Sequence, residues 1–151
     1  MRVFGVVKSG VHYTVRKSAY AVIFKMNDFS KVALIRAHSI QYFLPGGGIE
    51  IGESDAQCLK RELLEETGCT IDGIRYLCHA KRYFLSTLPA VRPMVSDGYF
   101  YTAELGEQVQ QPTEPDNFLE WVDVRECSPL LFHEHQAWAV REALARSKHL
   151  P

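Results

Sequence analysis

The sequence predicts an α/β fold, because short β-branched and aromatic runs alternate with turns while two segments carry the signatures of amphipathic helices. A length of 151 residues without a break in composition adds a bound, since it suits one domain, residues 1–151, with a single core. Apolar residues make up 46% of the chain and charged residues 23%, which excludes a disordered or fibrous protein.

The first strands are Ser18 to Lys25 and Val32 to Arg36, joined by a hairpin loop at Met26 to Ser30. The near-continuous apolar character of Ala19 to Phe24 predicts a strand covered on both faces. After Tyr42-Phe43-Leu44, the run Pro45-Gly46-Gly47-Gly48 predicts a loop, because proline lacks a donor and glycine admits positive φ. Ser54 with Gln57 three residues on is a capping box, and Gly68 is a left-handed stop, so a helix is expected over Asp55 to Thr67. Further strands are expected at Ile74 to Leu85, Ser96 to Glu104 and Phe118 to Val122, with a loop at Gly106 to Asn117 marked by Pro112 and Pro115. The helical spacing of Ala137, Trp138, Val140, Arg141, Leu144 and Ala145 predicts a packing helix over Glu134 to Ser147.

The formal net charge of -1 gives no global basic field and no support for a stable nucleic-acid complex. The four cysteines, Cys58, Cys69, Cys78 and Cys127, form no C-x-x-C pair and read as reduced thiols. The start of the chain is too briefly apolar for a signal-peptide core, and no run is long enough to span a bilayer. A cytoplasmic protein is the expectation.

The chemistry concentrates on the first helix. At about 100° per residue, Glu62, Glu65 and Glu66 share a sector of roughly 100°, beside a stripe of Ala56, Leu59 and Leu63 that can bury against the sheet. Three glutamates on a helix usually form a solvated face, and Arg61 with Glu65 at i,i+4 suits that reading. Yet Glu62 and Glu66 are a like-charge i,i+4 pair, and Glu50 and Glu53 approach from the preceding loop. Such crowding repels unless a cation neutralises it, and oxygen-only ligands suit a hard divalent ion such as magnesium, which leaves positions for water and phosphate. The glycines at 46–48 let a main-chain carbonyl or amide approach a metal or phosphate oxygen, although a glycine triplet by itself is usually only a turn.

Gly47, Glu53, Arg61-Glu62-Leu63, Glu65-Glu66 and Gly68-Cys69 fill every fixed position of G-x5-E-x7-R-E-U-x-E-E-x-G-U, where U is apolar. The chain therefore resembles the Nudix hydrolase family, whose box this is. Cys69 at the last apolar site, usually aliphatic, is the one soft departure. The lead-in Phe43 to Gly47 and Trp121-Val122 ahead of a C-terminal helix extend the resemblance over most of the chain.

The resemblance implies an α/β/α sandwich with a mixed β-sheet between helices. It also implies hydrolysis of a phosphoanhydride bond in a nucleoside diphosphate linked to another moiety, with water as nucleophile and Mg2+, or Mn2+ as a substitute, as cofactor. Carried over by position, Glu62, Glu65 and Glu66 are metal ligands and the Gly46 carbonyl is an additional one. Glu53 supports the metal shell, and Arg61 orients a glutamate. The general base is Glu65 or Glu62, with Glu65 favoured. Family members often add an acid from a later loop, and Glu114 holds that place, with Asp116 and Glu120 as competitors. For each of these three, a solvated surface acid is an equal alternative.

Several other residues carry a bland reading. His133-x-His135 lacks a third ligand and reads as a partly exposed helix start. Trp138 reads as core, Lys81, Arg82 and Arg92 as surface cations, and Tyr42, Tyr83 and Phe84 as strand packing. The expected partner is a small nucleotide-type molecule; a homodimer is open, since nothing fixes an interface. The box does not choose among nucleotide sugars, dinucleoside polyphosphates, ADP-ribose and damaged nucleoside triphosphates. A catalytically silent Nudix-like module that binds a nucleotide is the competing class, and such modules tend to lose box glutamates that this chain keeps.

Overall fold

A computed structural model describes residues 1–37, 40–87 and 89–147. Among the described residues, nine strands and three helices follow in the order β1 (Arg2–Phe4), β2 (Thr14–Val22), β3 (Phe24–Lys25), β4 (Asp28–Ala37), β5 (Gln41–Phe43), β6 (Gly46–Gly48), α1 (Asp55–Thr67), β7 (Cys69–Ser86), β8 (Arg92–Gln108), β9 (Phe118–Asp123), α2 (Cys127–Leu130) and α3 (Glu134–Ser147). A five-stranded mixed sheet runs β1-β7-β8-β2-β6, parallel at β1/β7 and β8/β2 and antiparallel elsewhere. Beside it lies a four-stranded antiparallel sheet in which β4 pairs with β3, β5 and β9.

Side chains alternate through these sheets into two cores. Ala19, Ala21 and Ile23 of the β2 run face Leu59 and Leu63 of α1, together with Ala33 of β4. Tyr20 and Val22 face Ala139, Val140 and Ala143 of α3, together with Val32 and Leu34 of β4. The early apolar run is therefore covered on both faces, as its composition predicts, and the helices sandwich the sheets. Leu59 and Leu63 are fully buried, which stabilises α1 on the sheet by about 1.5–3 kcal/mol each.

Both long helices have the predicted bounds. On α1 the Ser54 hydroxyl accepts from the Gln57 amide at 3.1 Å, the Gln57 side chain accepts from the Ser54 amide at 2.8 Å, and Gly68 stops the helix at φ 75°. The glycine run is a correction. Gly46–Gly48 is not a loop but the edge strand β6, with Ser18, Ala19 and Tyr20 paired to Gly48, Gly47 and Gly46. Pairing with β2 there outweighs the low strand preference of glycine. β7 and β8 also run beyond their predicted ends, and β8 reaches Gln108, inside the expected loop. The first hairpin turns more tightly than expected, with Lys25 opposite Asp28 and Asn27 at φ 60°.

All four cysteines are free and buried. Among the described residues, no helix is long and apolar enough to cross a membrane.

Candidate active site

Helix α1 presents its acids beside β6, and two local features bring a third segment to them. The carbonyl of Glu65, near the helix C-terminus, accepts the Thr113 amide at 2.9 Å and the Glu114 amide at 3.3 Å. The Gly68 carbonyl accepts the Val109 amide at 2.8 Å. The loop after β8 therefore satisfies helix-end carbonyls that would otherwise lack partners, and in doing so delivers Glu114. One carboxylate oxygen each from Glu62, Glu65 and Glu114 lies within 4.8 Å of the others.

Arg61 organises the side toward the glycines. Its Nε and Nη2 donate to the two oxygens of Glu53 at 2.7 and 2.9 Å, a bidentate pair. Its Nη1 donates to Glu62 at 2.9 Å and to Glu65 at 3.4 Å, and Nη2 also donates to the Gly48 carbonyl at 3.0 Å. Arg61 thus ties the preceding loop, strand β6 and two glutamates together. Its hydrogen bonds hold the Glu53 carboxyl down to about 2, while those it donates to Glu53 and Glu62 raise the arginine itself.

Glu66 stands apart from the trio. It is 7% exposed, and its Oε1 accepts the Gly46 amide at 2.9 Å. Burial pushes its carboxyl well above the usual range, and Glu62, Glu114 and Glu65 push the same way against the Gly46 hydrogen bond. Burial likewise raises Glu62, with Arg61 opposing. The two acids that sit deepest are therefore held where ionisation costs most, an arrangement a divalent cation would relieve. The donor set fits such an ion, since it is oxygen only and clustered, and its carboxylates crowd without enough cation to balance them.

Of the competing loop acids, Glu120 is committed elsewhere, paired with Arg36 at 2.9 Å and accepting the Tyr42 hydroxyl at 2.9 Å. Asp116 is exposed and outside the trio. His133 and His135 correct the expectation of a partly exposed helix start, for they are 7% and 0% exposed. Arg82 is no free surface cation either, because its Nη1 donates to the His133 ring at 2.9 Å and to the Phe132 carbonyl at 2.8 Å. Trp138 packs against the α3-side core. Arg16, on the strand before the glycines, stands beside Gly48 and no sequence motif marks it.

The fold and sequence match known proteins over most of the chain. A NUDIX hydrolase from Nitrosomonas europaea superposes with a TM-score of 0.69 at 17% identity, covering 88% of this chain and 90% of that one. An Ap4A hydrolase from C. elegans superposes at 0.65 with 18% identity, covering 89% and 99%. An ADP-ribose pyrophosphatase from Streptococcus suis superposes at 0.62 with 18% identity, covering 90% and 96%. The profile of the NUDIX domain matches residues 15–144. With that match joined to the box and the sandwich, the chain belongs to the NUDIX family of hydrolases.

Proposed function

We propose that the protein, acting as one domain, hydrolyses a phosphoanhydride bond in a nucleoside diphosphate linked to a second moiety, with magnesium or manganese held by Glu62, Glu65, Glu66, Glu114 and the Gly46 carbonyl. The observation that carries the reading is the convergence of oxygens from Glu62, Glu65 and Glu114 within 4.8 Å of one another, from two segments far apart in sequence. Structural neighbours that include an Ap4A hydrolase and an ADP-ribose pyrophosphatase support the same reaction class.

A divalent ion bound there would neutralise phosphate oxygens and lower the pKa of a coordinated water. The chain's own residues then divide the remaining work. Glu65, with its side chain 34% exposed against 13% for Glu62, is open enough to take the proton of the attacking water. Glu62 and Glu66 sit deeper and would supply fixed negative charge to such an ion. Glu53 acts through Arg61, whose fork keeps Glu62 and Glu65 from turning outward.

The test is a nucleotide panel assayed with magnesium and with manganese, using the wild type, Glu65→Gln and Glu66→Gln. Metal-dependent release of a nucleoside monophosphate, reduced by about 10²-fold or more in the Glu65 variant, is the expected result. A wild type that binds divalent ions but cleaves nothing would make the chain a silent nucleotide-binding module.

A further inference from the structure

A pocket of about 160 Å³ opens on the α3 side of the five-stranded sheet and takes no part in the chemistry above. Arg16 and Tyr20 of β2, Phe84 of β7, Arg92 and Met94 of β8, and His133 ahead of α3 line it. The strand registers bring them together, with Phe84 opposite Met94 and Arg16 opposite Ser96.

The charged side chains of the lining, Arg16 and Arg92, can only donate, while the hydroxyls of Tyr20, Ser86 and Ser96 can both donate and accept. Among the described residues neither Arg16 nor Arg92 forms an ion pair. Arg82, behind the wall, spends its Nη1 on the Nδ1 of His133 at 2.9 Å and meets Glu134 at 3.6 Å. An Nδ1 that accepts leaves the proton of the neutral ring on Nε2, so His133 is a further donor. Burial foremost, then His135, Arg82 and Arg16, holds that ring neutral. A guanidinium has no acceptor at all, so the complementary ligand is rich in acceptors and anionic. Nucleobase edges mix donors with acceptors and fit less well. The volume lies below the roughly 300 Å³ at which pockets begin to enclose drug-sized ligands. A space of that size suits a phosphate group better than a whole nucleotide.

The pocket is one strand away from the acids. A β-carbon on Gly47 would lie 2.6 Å from a Glu62 oxygen, and one on Gly48 would lie 3.1 Å from the Arg16 guanidinium. The edge strand β6, stripped of side chains, is thus a thin partition with carboxylate on one side and guanidinium on the other. The buried Tyr20 hydroxyl lies in the reach of both, with Arg16 acting on it in one direction and Glu66 and Glu62 in the other.

We propose that this pocket seats a second phosphate of the substrate, beyond the bond that is cut, and so favours substrates with a phosphate chain or a second nucleotide phosphate over those ending in an uncharged sugar. This rests on the hydrolase reading for its kinetic consequence but not for binding.

The binding arm therefore omits metal. Calorimetry in chelator measures inorganic tripolyphosphate and adenosine 5′-monophosphate against the wild type, Arg16→Ala, Arg92→Ala and Arg92→Lys, with thermal melting to confirm that each variant is folded. At least one of the two phosphates binds the wild type, weakens tenfold or more in both alanine variants, and weakens less in Arg92→Lys. The tighter of the two identifies the source, a polyphosphate chain or a nucleotide phosphate. In the kinetic arm, Arg92→Ala raises KM tenfold or more for a dinucleoside tetraphosphate with kcat nearly unchanged, and leaves a nucleotide sugar unaffected. Binding indifferent to both arginines, or an equal KM rise on the sugar substrate, overturns the pocket assignment and leaves the hydrolase reading standing. Arginine-dependent binding with no hydrolysis of any substrate by the wild type does the reverse.

Discussion

Gly47 and Glu62 approach more closely than any other residue at position 47 would allow, since even a methyl group there would meet the carboxylate oxygen at 2.6 Å. The obstructed atom is the free end of a flexible side chain, so the fold can absorb a methyl group, but the carboxylate cannot keep its place. Gly47→Ala is expected to leave the melting temperature nearly unchanged. It should lower metal affinity and kcat/KM by about 10–100-fold, the cost typical of losing a contact that keeps a ligand in place. Calorimetric manganese titration beside thermal melting checks it, and an unchanged affinity would place Glu62 outside the metal site.

Among the described residues, Arg61 is the one cation paired with Glu50, Glu53, Glu62 and Glu65, and its fork matters as much as its charge. Arg61→Lys keeps the charge but cannot hold both Glu53 oxygens while reaching Glu62 and the Gly48 carbonyl. Both Arg61→Lys and Arg61→Ala should lose about 10–100-fold in kcat. If lysine restores full activity, the bidentate geometry is irrelevant to function.

Glu66 sets stability against metal binding. Its folded carboxyl is raised, so from the unfolded value upward the folded state holds a proton that the unfolded state has lost, and stability falls as pH rises through that interval. Glu66→Gln keeps an acceptor for the Gly46 amide and removes the buried charge. The metal-free variant should melt above the wild type at pH 8, while the rise in melting temperature on adding magnesium shrinks. A metal-free variant that melts lower contradicts this.

Acid should act through the two histidines. His133 and His135 are held down to about 2 and about 3 from an ordinary 6.5, foremost by burial. Below pH 6.5 the unfolded chain gains protons that the folded chain refuses, so stability falls with acidification at about 1.4 kcal/mol per pH unit for each histidine. Glu53 works in the same direction lower down, between its ordinary 4.5 and about 2, where protonation dissolves its pairing with Arg61. Denaturant midpoints from pH 7 to 5 measure the histidine slope, and His135→Gln should flatten it. Because the raised Glu66 carboxyl slopes the other way over that range, the readout is the difference between the two profiles, and parallel wild-type and His135→Gln profiles exclude a buried neutral ring at position 135.

Elements with local causes were legible in the sequence. The bounds of α1 follow from Ser54, Gln57 and Gly68, and those of α3 from apolar spacing, because capping and periodicity are written in neighbouring residues. Strand β6 was not legible, since three glycines gain strand character only from their pairing with β2. The same holds for β1, short and held in place by a parallel pairing with β7 from residues 80–82. The acids of the box could be read together because one helix carries them. Glu114 could be named but not separated from Asp116 and Glu120 until Tyr42 and Arg36 were seen to hold Glu120. The burial of His133 and His135, like the place of Arg16 beside Gly48, comes from segments meeting across the sheet, which no local pattern records.

The bonds from Thr113 and Glu114 to the Glu65 carbonyl make the end of α1 and the loop a single mechanical piece. Neither can fray without exposing the other's polar backbone, so amide exchange in the two should share one opening rate. An acid on an otherwise irregular stretch thereby inherits the order of a helix to which it does not belong.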